Sequence, residues 1–367
     1  MSRHAFYFVV DRGYFPLCET ISQELLRLFD ADIHIFVEDT TLTELPKVHL
    51  TDLRVHHHLN RLTPCAPSDL PTDAKWPVVV YLRIFAPQFL LDYDRVVYLD
   101  ADIMPMRADP FLWEAPLPGG VGCVQDYAAL DNAPTAKRGA DSLSPTEKKK
   151  RWLRSIGVEQ FEYFNSGVLI LTPKLWVQTD WARELSNYVA KYKDTIAMFD
   201  QDFLNCYLQG KWTDFSPRYN FQYSIMNFGL EKDLVPIFAH FSTGDKPWFG
   251  RHAANIRDLD KVACDFFTKG LSDLGYEASA FRRPQRRDLF SRLKIRFRRR
   301  LSEMGMMPRK ERKLRRQWAE NTRVMVDYLN RARREGRFAD NIPEVSVERS
   351  STCLRFDGKT LRSDIAA

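Results

Sequence analysis

Arg95-Val-Val-Tyr-Leu-Asp-Ala-Asp102 reads as a buried strand that ends in two carboxylates. Val96 to Leu99 are consecutive apolar residues, the pattern of a strand covered on both faces. Asp100 and Asp102 follow at once, separated only by Ala101. Residues two apart on an extended segment project to the same side. Both carboxylates can therefore face one hard divalent cation, with phosphate oxygens of a substrate completing its shell. Taken alone the tripeptide reads as a pair of solvated loop acids, and its place after a buried strand brings ligation level with that reading.

Outward from this point the chain alternates between two periodicities. His4 to Val10 is a near-continuous apolar run, Asp11-Arg-Gly-Tyr14 supplies turn chemistry, and Ile21, Leu25 and Leu28 recur at helical spacing. A second strand follows at Asp32 to Val37. Strand, helix and strand in so short a span make a right-handed parallel crossover. A helix is expected over Val78 to Leu91, a strand over Asn165 to Leu171, and a long helix from Pro173 through Tyr192. Alternation of this kind predicts an α/β fold with a largely parallel sheet and ligands at the carboxyl ends of its strands. Leu59 to Lys75 and Asn132 to Lys150 read as loops, the second long enough for a lid or an acceptor-facing loop. In His56-His57-His58 successive side chains alternate faces, so at most two could share a metal, and an ordinary strand is the plainer reading.

Composition sets the outer limits. The 367 residues are 44% hydrophobic and 28% charged, as in ordinary globular proteins. No apolar run is long enough for a membrane-spanning helix, and the N-terminus lacks the pattern of a secretory signal. The six cysteines are scattered without a CxxC pair, which favours free thiols over disulfides or structural zinc. The net charge of +6 conceals an asymmetry. Residues 282–318 contain sixteen basic and three acidic side chains, a local +13 that leaves about −7 on the rest. A block of this sort is a docking surface for something anionic.

Three more segments carry compatible chemistry. Phe164-Asn165-Ser-Gly-Val168 opens an apolar strand with a polar corner. Asp200-Gln201-Asp202 opens a helix, where carboxylate and amide can bond sugar hydroxyls. His240-Phe-Ser-Thr-Gly244-Asp-Lys246-Pro-Trp248 offers an imidazole as ligand and a lysine for a diphosphate. Each has a blander reading: Asn165 and Gly167 shaping a turn, Asp200 and Asp202 favoured by the helix macrodipole, His240 satisfied in the core.

In this order the segments resemble glycosyltransferase family eight, the retaining enzymes that include glycogenin and bacterial lipopolysaccharide glucosyl- and galactosyltransferases. The resemblance runs from Phe6 to Trp248. It implies a GT-A type nucleotide-sugar-binding fold, a single Rossmann-like domain with a mostly parallel central sheet. It also implies that Asp11 and Tyr14 bracket a uracil, that Arg83 and Asn165 contact the donor, and that Gly244 and Lys246 meet its diphosphate. Asp100, Asp102 and His240 would ligate Mn²⁺ or Mg²⁺, with Ala101 between the two acids at the donor. Asp200 and Gln201 match the family's acid–amide pair, and Asp202 is a further catalytic candidate. The expected reaction moves glucose or galactose from a UDP-hexose to a glycan or glycolipid acceptor, entering from the face that the leaving group vacates. Two departures stand out. Thr243 occupies a usual glycine position, with Gly244 one place later, and Gly13 stands where an asparagine is frequent. Neither removes a needed charge.

Two other classes compete. A haloacid-dehalogenase-type phosphatase also has a DxD after a hydrophobic strand, but Met104 stands where Thr or Val belongs, and the motif lies far from the N-terminus. A non-enzymatic reading makes the arginine block the point of the protein. There Leu289, Phe290, Leu293, Phe297, Leu301 and Met304 fall on one arc of a helix, interrupted by Arg300. Apolar residues under a ring of arginines suit an anionic membrane surface, whereas nucleic acid gains nothing from the stripe. The resulting expectation is a catalytic domain over 1–281, a basic amphipathic membrane-association segment over 282–336, and a loose tail over 337–367. The helix from Lys310 to Arg334 is expected to pack through Leu314, Trp318, Met325 and Leu329. Location would be cytoplasmic, peripheral on the inner face of the inner membrane.

Overall fold

The computed structural model describes residues 3–73, 77–130, 145–244, 246–249, 258–283, 293, 297, 300 and 309–346. Eight strands build the main architecture: β1 (His4–Val10), β2 (Asp32–Val37), β3 (Val55–Leu59), β4 (Arg95–Leu99), β5 (Ile103–Pro105), β6 (Val121–Gln125), β7 (Phe164–Leu171) and β8 (Thr213–Phe215). Seven of them form one sheet in the order β3-β2-β1-β4-β7-β6-β8. The pairs β3-β2, β2-β1, β1-β4 and β6-β8 are parallel, while β7 runs antiparallel to both its neighbours. The sheet is thus mixed but mostly parallel, as the alternating pattern implied. The apolar runs of β1 and β4 are buried on both faces, since helices and loops cover the sheet. The helix Phe15–Leu28 joins β1 to β2, and Pro16 in its first turn presets the backbone without losing a needed donor.

Two helical expectations are corrected. Val78 to Leu91 is not one helix but a short turn of α-helix, Val79–Leu82, and a 3₁₀ segment, Ala86–Phe89. Pro87 cannot donate within a continuous helix, and so the segment breaks around it. The long helix after Pro173 is likewise two, Pro173–Trp176 and Trp181–Tyr192, the second capped by Asp180 accepting from Arg183 N at 3.1 Å. Trp176 and Trp181 stack at 4.2 Å between ring centroids, and Trp176 Nε1 donates to Ile84 O at 2.9 Å. Burial of such large rings contributes a few kcal/mol each.

The triple histidine lies on β3. In the parallel register His34 pairs with His56 and Phe36 with His58. His34, His56 and His58 share one face, where His34 stacks on His56 at 4.6 Å and on His58 at 5.2 Å. His57 turns to the opposite face, 3.7 Å from buried Glu19. Tyr93 gives its only proton to Asp32 at 2.6 Å, so His34 Nε2 donates to the Tyr93 oxygen at 2.9 Å. His34 Nδ1 then accepts from His58 Nε2 at 3.0 Å.

The chain divides into two compact units differently from the boundary expected at 281. One comprises residues 1–221, 236–240 and 338–341, and the other 222–235, 241–337 and 342–367. Composition marked the sequence boundary, whereas packing sets the observed one. In the second unit the helix Arg309–Arg334 buries Trp318, Thr322, Val326, Leu329 and Ala332, and Trp318 Nε1 donates to Asn227 O at 3.0 Å. Val326 takes the buried position, with Met325 beside it only partly covered; Leu314's side chain lies outside the described residues.

Residues 338–346 are not a loose tail. In the first unit Asp340 accepts from Ser216 N at 2.8 Å and from Ser216 Oγ at 2.7 Å, and Ala339 N donates to Asp214 O at 2.8 Å. In the second, Val345 and Asn330 exchange two hydrogen bonds of 2.8 and 2.9 Å. Sequence polarity hid this because the anchors are single buried residues between charged ones. No helix among the described residues is long and apolar enough to cross a membrane. The five described cysteines, Cys18, Cys65, Cys123, Cys206 and Cys264, are free thiols, as expected.

Candidate active site

The carboxyl end of β4 delivers the acidic pair. Asp100 N donates to Gly167 O at 2.9 Å, continuing the β4–β7 pairing, and Ile103 N closes a turn onto Asp100 O at 3.2 Å. That turn reverses the chain into β5, which pairs antiparallel with Phe238–His240, placing Ile103 opposite His240. Register alone therefore brings an imidazole from far along the chain to the acids. His240 Nε2 lies 3.1 Å from Asp102 Oδ1 and 3.7 Å from Asp100 Oδ2. One ligand atom from each of the three residues falls within 4.8 Å of the others.

The surroundings fit a cation. Asp100 Oδ1 is already engaged, accepting from Tyr98 Oη at 2.6 Å and Arg83 Nη1 at 2.8 Å, so Oδ2 is the oxygen turned toward His240. Gly167 keeps the space open: a Cβ there would collide with His240 Cε1 and come within 2.7 Å of Asp100 Oδ2. Two carboxylate oxygens and one imidazole nitrogen are a donor set for Mn²⁺ or a similar divalent ion.

Arg83 is the electrostatic hub. It is buried, donates to Asp100, reaches Asp200 Oδ2 at 3.3 Å, and lies 4.5 Å from the Tyr98 ring centroid. Burial opposes its charge, but Asp100 and Asp200 more than offset this and raise its pKa. Asp200 is pushed up to about 6, chiefly by burial, with Arg83 pulling the other way. It follows Phe199, whose φ of 48° is a strained value for an aromatic residue and fixes where the helix Asp200–Tyr207 begins.

Gln201 and Asn165 form a second cluster. Gln201 Oε1 accepts from Ser166 N at 3.0 Å, and its Nε2 donates to Asp126 Oδ2 at 3.0 Å. Asn165 Nδ2 points to the same Asp126 oxygen at 3.4 Å. Asp126 escaped the sequence reading, although it follows the buried strand β6 as Asp100 follows β4. Asn220 also escaped it, having no motif around it; its side chain bonds both His240 and Asn165.

Asp202 does not join this group. Its Oδ2 accepts from Ala197 N at 2.7 Å and Met198 N at 2.8 Å, and its Oδ1 accepts from Tyr163 Oη at 2.5 Å. It is fully buried, so the catalytic candidate of the sequence is a loop anchor in the fold. Asp11 ends β1, the parallel neighbour of β4, and its carboxylate accepts from Gly13 N at 2.8 Å and Tyr14 N at 3.2 Å. Tyr14 is exposed beside it, and Ala101 is buried between the two acids. Gly244 and Lys246 belong to the other unit; Gly244 is exposed, and Lys246 Nζ donates to Phe241 O at 3.0 Å.

Escherichia coli lipopolysaccharide 1,2-glucosyltransferase is 30% identical over 190 residues, which is 49% of this chain and 52% of that protein. General stress protein A of Bacillus subtilis is 25% identical over 195 residues, 48% of this chain and 62% of that one. The match thus spans between half and two thirds of these curated relatives. In three dimensions, the structure of the galactosyltransferase LgtC in complex with donor and acceptor sugar analogs superposes with a TM-score of 0.55 at 19% identity, over 75% of this chain and 97% of that one. At that identity the likeness speaks to the fold, which is the GT-A type. Residues 8–251 match the family model for Glycosyl transferase family 8, two thirds of the chain, and the protein belongs to that family.

Proposed function

We propose that this glycosyltransferase is a retaining hexosyltransferase that uses UDP-glucose or UDP-galactose and a divalent cation, Mn²⁺ or Mg²⁺. The observation that carries the reading is the convergence of Asp100, Asp102 and His240 around a space that only a glycine at position 167 leaves clear. A cation bound there supplies positive charge against the leaving diphosphate. Arg83 holds one oxygen of Asp100 and leaves the other for ligation, while Asp11 and Tyr14 receive the base. Asn165 and Gln201, fixed by Asp126 and Ser166, present amides to the hexose. Asp200 is tied to Arg83 and Ser166, which suits charge balance beside the sugar better than covalent attack. Entry of the acceptor on the leaving-group face needs no covalent intermediate.

The acceptor we favour is a saccharide of lipopolysaccharide or another cell-surface glycan, in line with the name of the E. coli relative. Association with an anionic membrane through 282–318 accompanies this reading. It is supported by Leu293 and Phe297, helical residues that are 53% and 64% exposed with Arg300 on the same segment; Leu289, Phe290, Leu301 and Met304 lie outside the described residues. A cytoplasmic, membrane-peripheral location follows from it. The test is a panel of UDP-sugars assayed for hydrolysis with and without Mn²⁺. One UDP-hexose should be turned over with the ion only, and equal turnover in excess chelator overturns the metal-dependent reading.

A further inference from the structure

Asn220 is fully buried, lies outside every motif, and connects the metal-ligating histidine to the sugar-facing asparagine. The direction of each hydrogen bond can be worked out from one fixed donor. Gly167 N–H can only donate, and it meets Asn165 Oδ1 at 3.1 Å, which sets the orientation of the Asn165 amide. Asn220 Nδ2 donates to that same oxygen at 2.9 Å, which sets the orientation of Asn220. Its Oδ1 therefore faces His240 Nδ1, 2.9 Å away, and a carbonyl oxygen can only accept. The Nδ1 of His240 must carry the proton. The neutral ring is left with its lone pair on Nε2, the nitrogen beside Asp100 and Asp102.

We propose that Asn220 is a positioning residue that locks His240 in the Nδ1–H tautomer and so presents a ready Nε2 lone pair to a divalent cation. The proposal rests on the metal reading above and deepens it. Without this lock the neutral ring could carry its proton on Nε2, the nitrogen that faces the two acids, and its orientation would lose a hydrogen bond that fixes it. The lock also ties two functions together, because the amide that orients the ligand also holds Asn165 in place. Its own support comes from the preceding turn. The 3₁₀ segment Pro217–Tyr219 delivers Asn220 and starts at Ser216, whose backbone and hydroxyl both bond buried Asp340. Arg218 pairs with Asp109 at 3.4 Å, and Tyr219 Oη donates to Asp109 at 2.9 Å.

Two variants separate the parts of the argument. Asn220→Leu removes the acceptor for His240 and the donor for Asn165. Asn220→Asp keeps an acceptor for His240, replaces the donor to Asn165 with a second acceptor, and adds a negative charge. Mn²⁺ affinity of the purified full-length protein, titrated by electron paramagnetic resonance, should weaken about 10- to 100-fold in Asn220→Leu and stay much closer to wild type in Asn220→Asp. The KM for the UDP-hexose should rise in both. A packing role alone would weaken Mn²⁺ binding equally in the two, and that result overturns the proposal. Nitrogen-15 NMR of histidine-labelled wild-type protein without metal, at a pH where the ring is neutral, gives an independent reading that needs no variant. The His240 signal, identified by its loss in His240→Gln, should report a protonated Nδ1; a protonated Nε2 overturns the proposal. If wild type binds no Mn²⁺ at all, the metal reading fails, while the tautomer measurement still decides this one.

Discussion

Asp200 and Asp202, separated by a single residue at the start of one helix, face opposite tasks. The Asp200 carboxylate meets Arg83 Nε at 3.3 Å and Ser166 Oγ at 3.2 Å beside the acidic cluster. The Asp202 carboxylate is consumed by two backbone amides, of Ala197 and Met198, and the Tyr163 hydroxyl. Both are raised by burial, yet only Asp200 borders the proposed donor site.

This contrast gives the first prediction. Asp202→Asn replaces one of two accepting oxygens with an NH2 donor, so that either the Ala197 and Met198 N–H groups or the Tyr163 hydroxyl loses its acceptor. This should cost about 1–3 kcal/mol of stability, with activity per folded molecule largely kept. Asp200→Asn should do the reverse, leaving the melting temperature nearly unchanged and lowering kcat. Thermal unfolding beside single-substrate kinetics measures both, and an Asp202→Asn protein that is stable but inactive refutes the division.

The second concerns the cation. Asp102→Asn should abolish transfer and weaken UDP binding only when Mn²⁺ is present, as calorimetry with and without the ion would record. Full transfer by this variant removes Asp102 from the site.

The third concerns stereochemistry. With an α-linked UDP-hexose donor, the product should be α-linked, read from the anomeric proton coupling by NMR. A β linkage would rule out retention.

The fourth follows from the histidines. Burial pulls His34 down to about 3 and His58 to about 4, each helped by the neighbouring His56. Arg3 and Arg61 reinforce the depression, and Asp32 opposes it at His34. A depressed folded pKa means that the unfolded chain takes up protons first. Stability supplied by the neutral cluster is thus complete above about 6.5 and is lost progressively as pH falls toward 3. The melting temperature should fall between pH 6.5 and 4, and His58→Asn should flatten that slope. An unchanged slope would mean that other groups control acid unfolding.

The fifth concerns the membrane. Each basic residue near an anionic surface contributes about 1 kcal/mol before screening, and at physiological salt the reach is only about 8 Å. Leu293 and Phe297 should add a salt-resistant component. Sedimentation with anionic liposomes should therefore weaken but persist in high salt, and Leu293→Glu with Phe297→Glu should make it wholly salt-sensitive. Deleting everything from Arg282 is an unsuitable test, because it also removes Asp340 from the catalytic unit. Binding by the double variant equal to wild type at every salt concentration refutes the apolar contribution.

Much of this was legible in the sequence because continuous apolar runs and strand-end acids are local signals. β1, β2, β4 and β7 announce themselves, and so do Asp100, Asp102 and His240 once order along the chain is considered. What stayed hidden depends on pairing between distant segments. The antiparallel insertion of β7, the orientation of Asp202 away from Asp200, and the contacts of Asn220 and Asp126 are set by register and by single hydrogen bonds. No periodicity encodes those.

Asp340 has a consequence for how the enzyme comes into being. Every ligand and donor residue proposed above has left the ribosome long before position 340, yet the carboxylate that anchors Ser216, and through it the turn carrying Asn220, has not. A nascent chain paused inside the arginine-rich stretch holds its acids and its histidine with that turn still untethered. On the proposed reading the site depends on that late anchor, and a C-terminally nicked product is expected to be a poor catalyst.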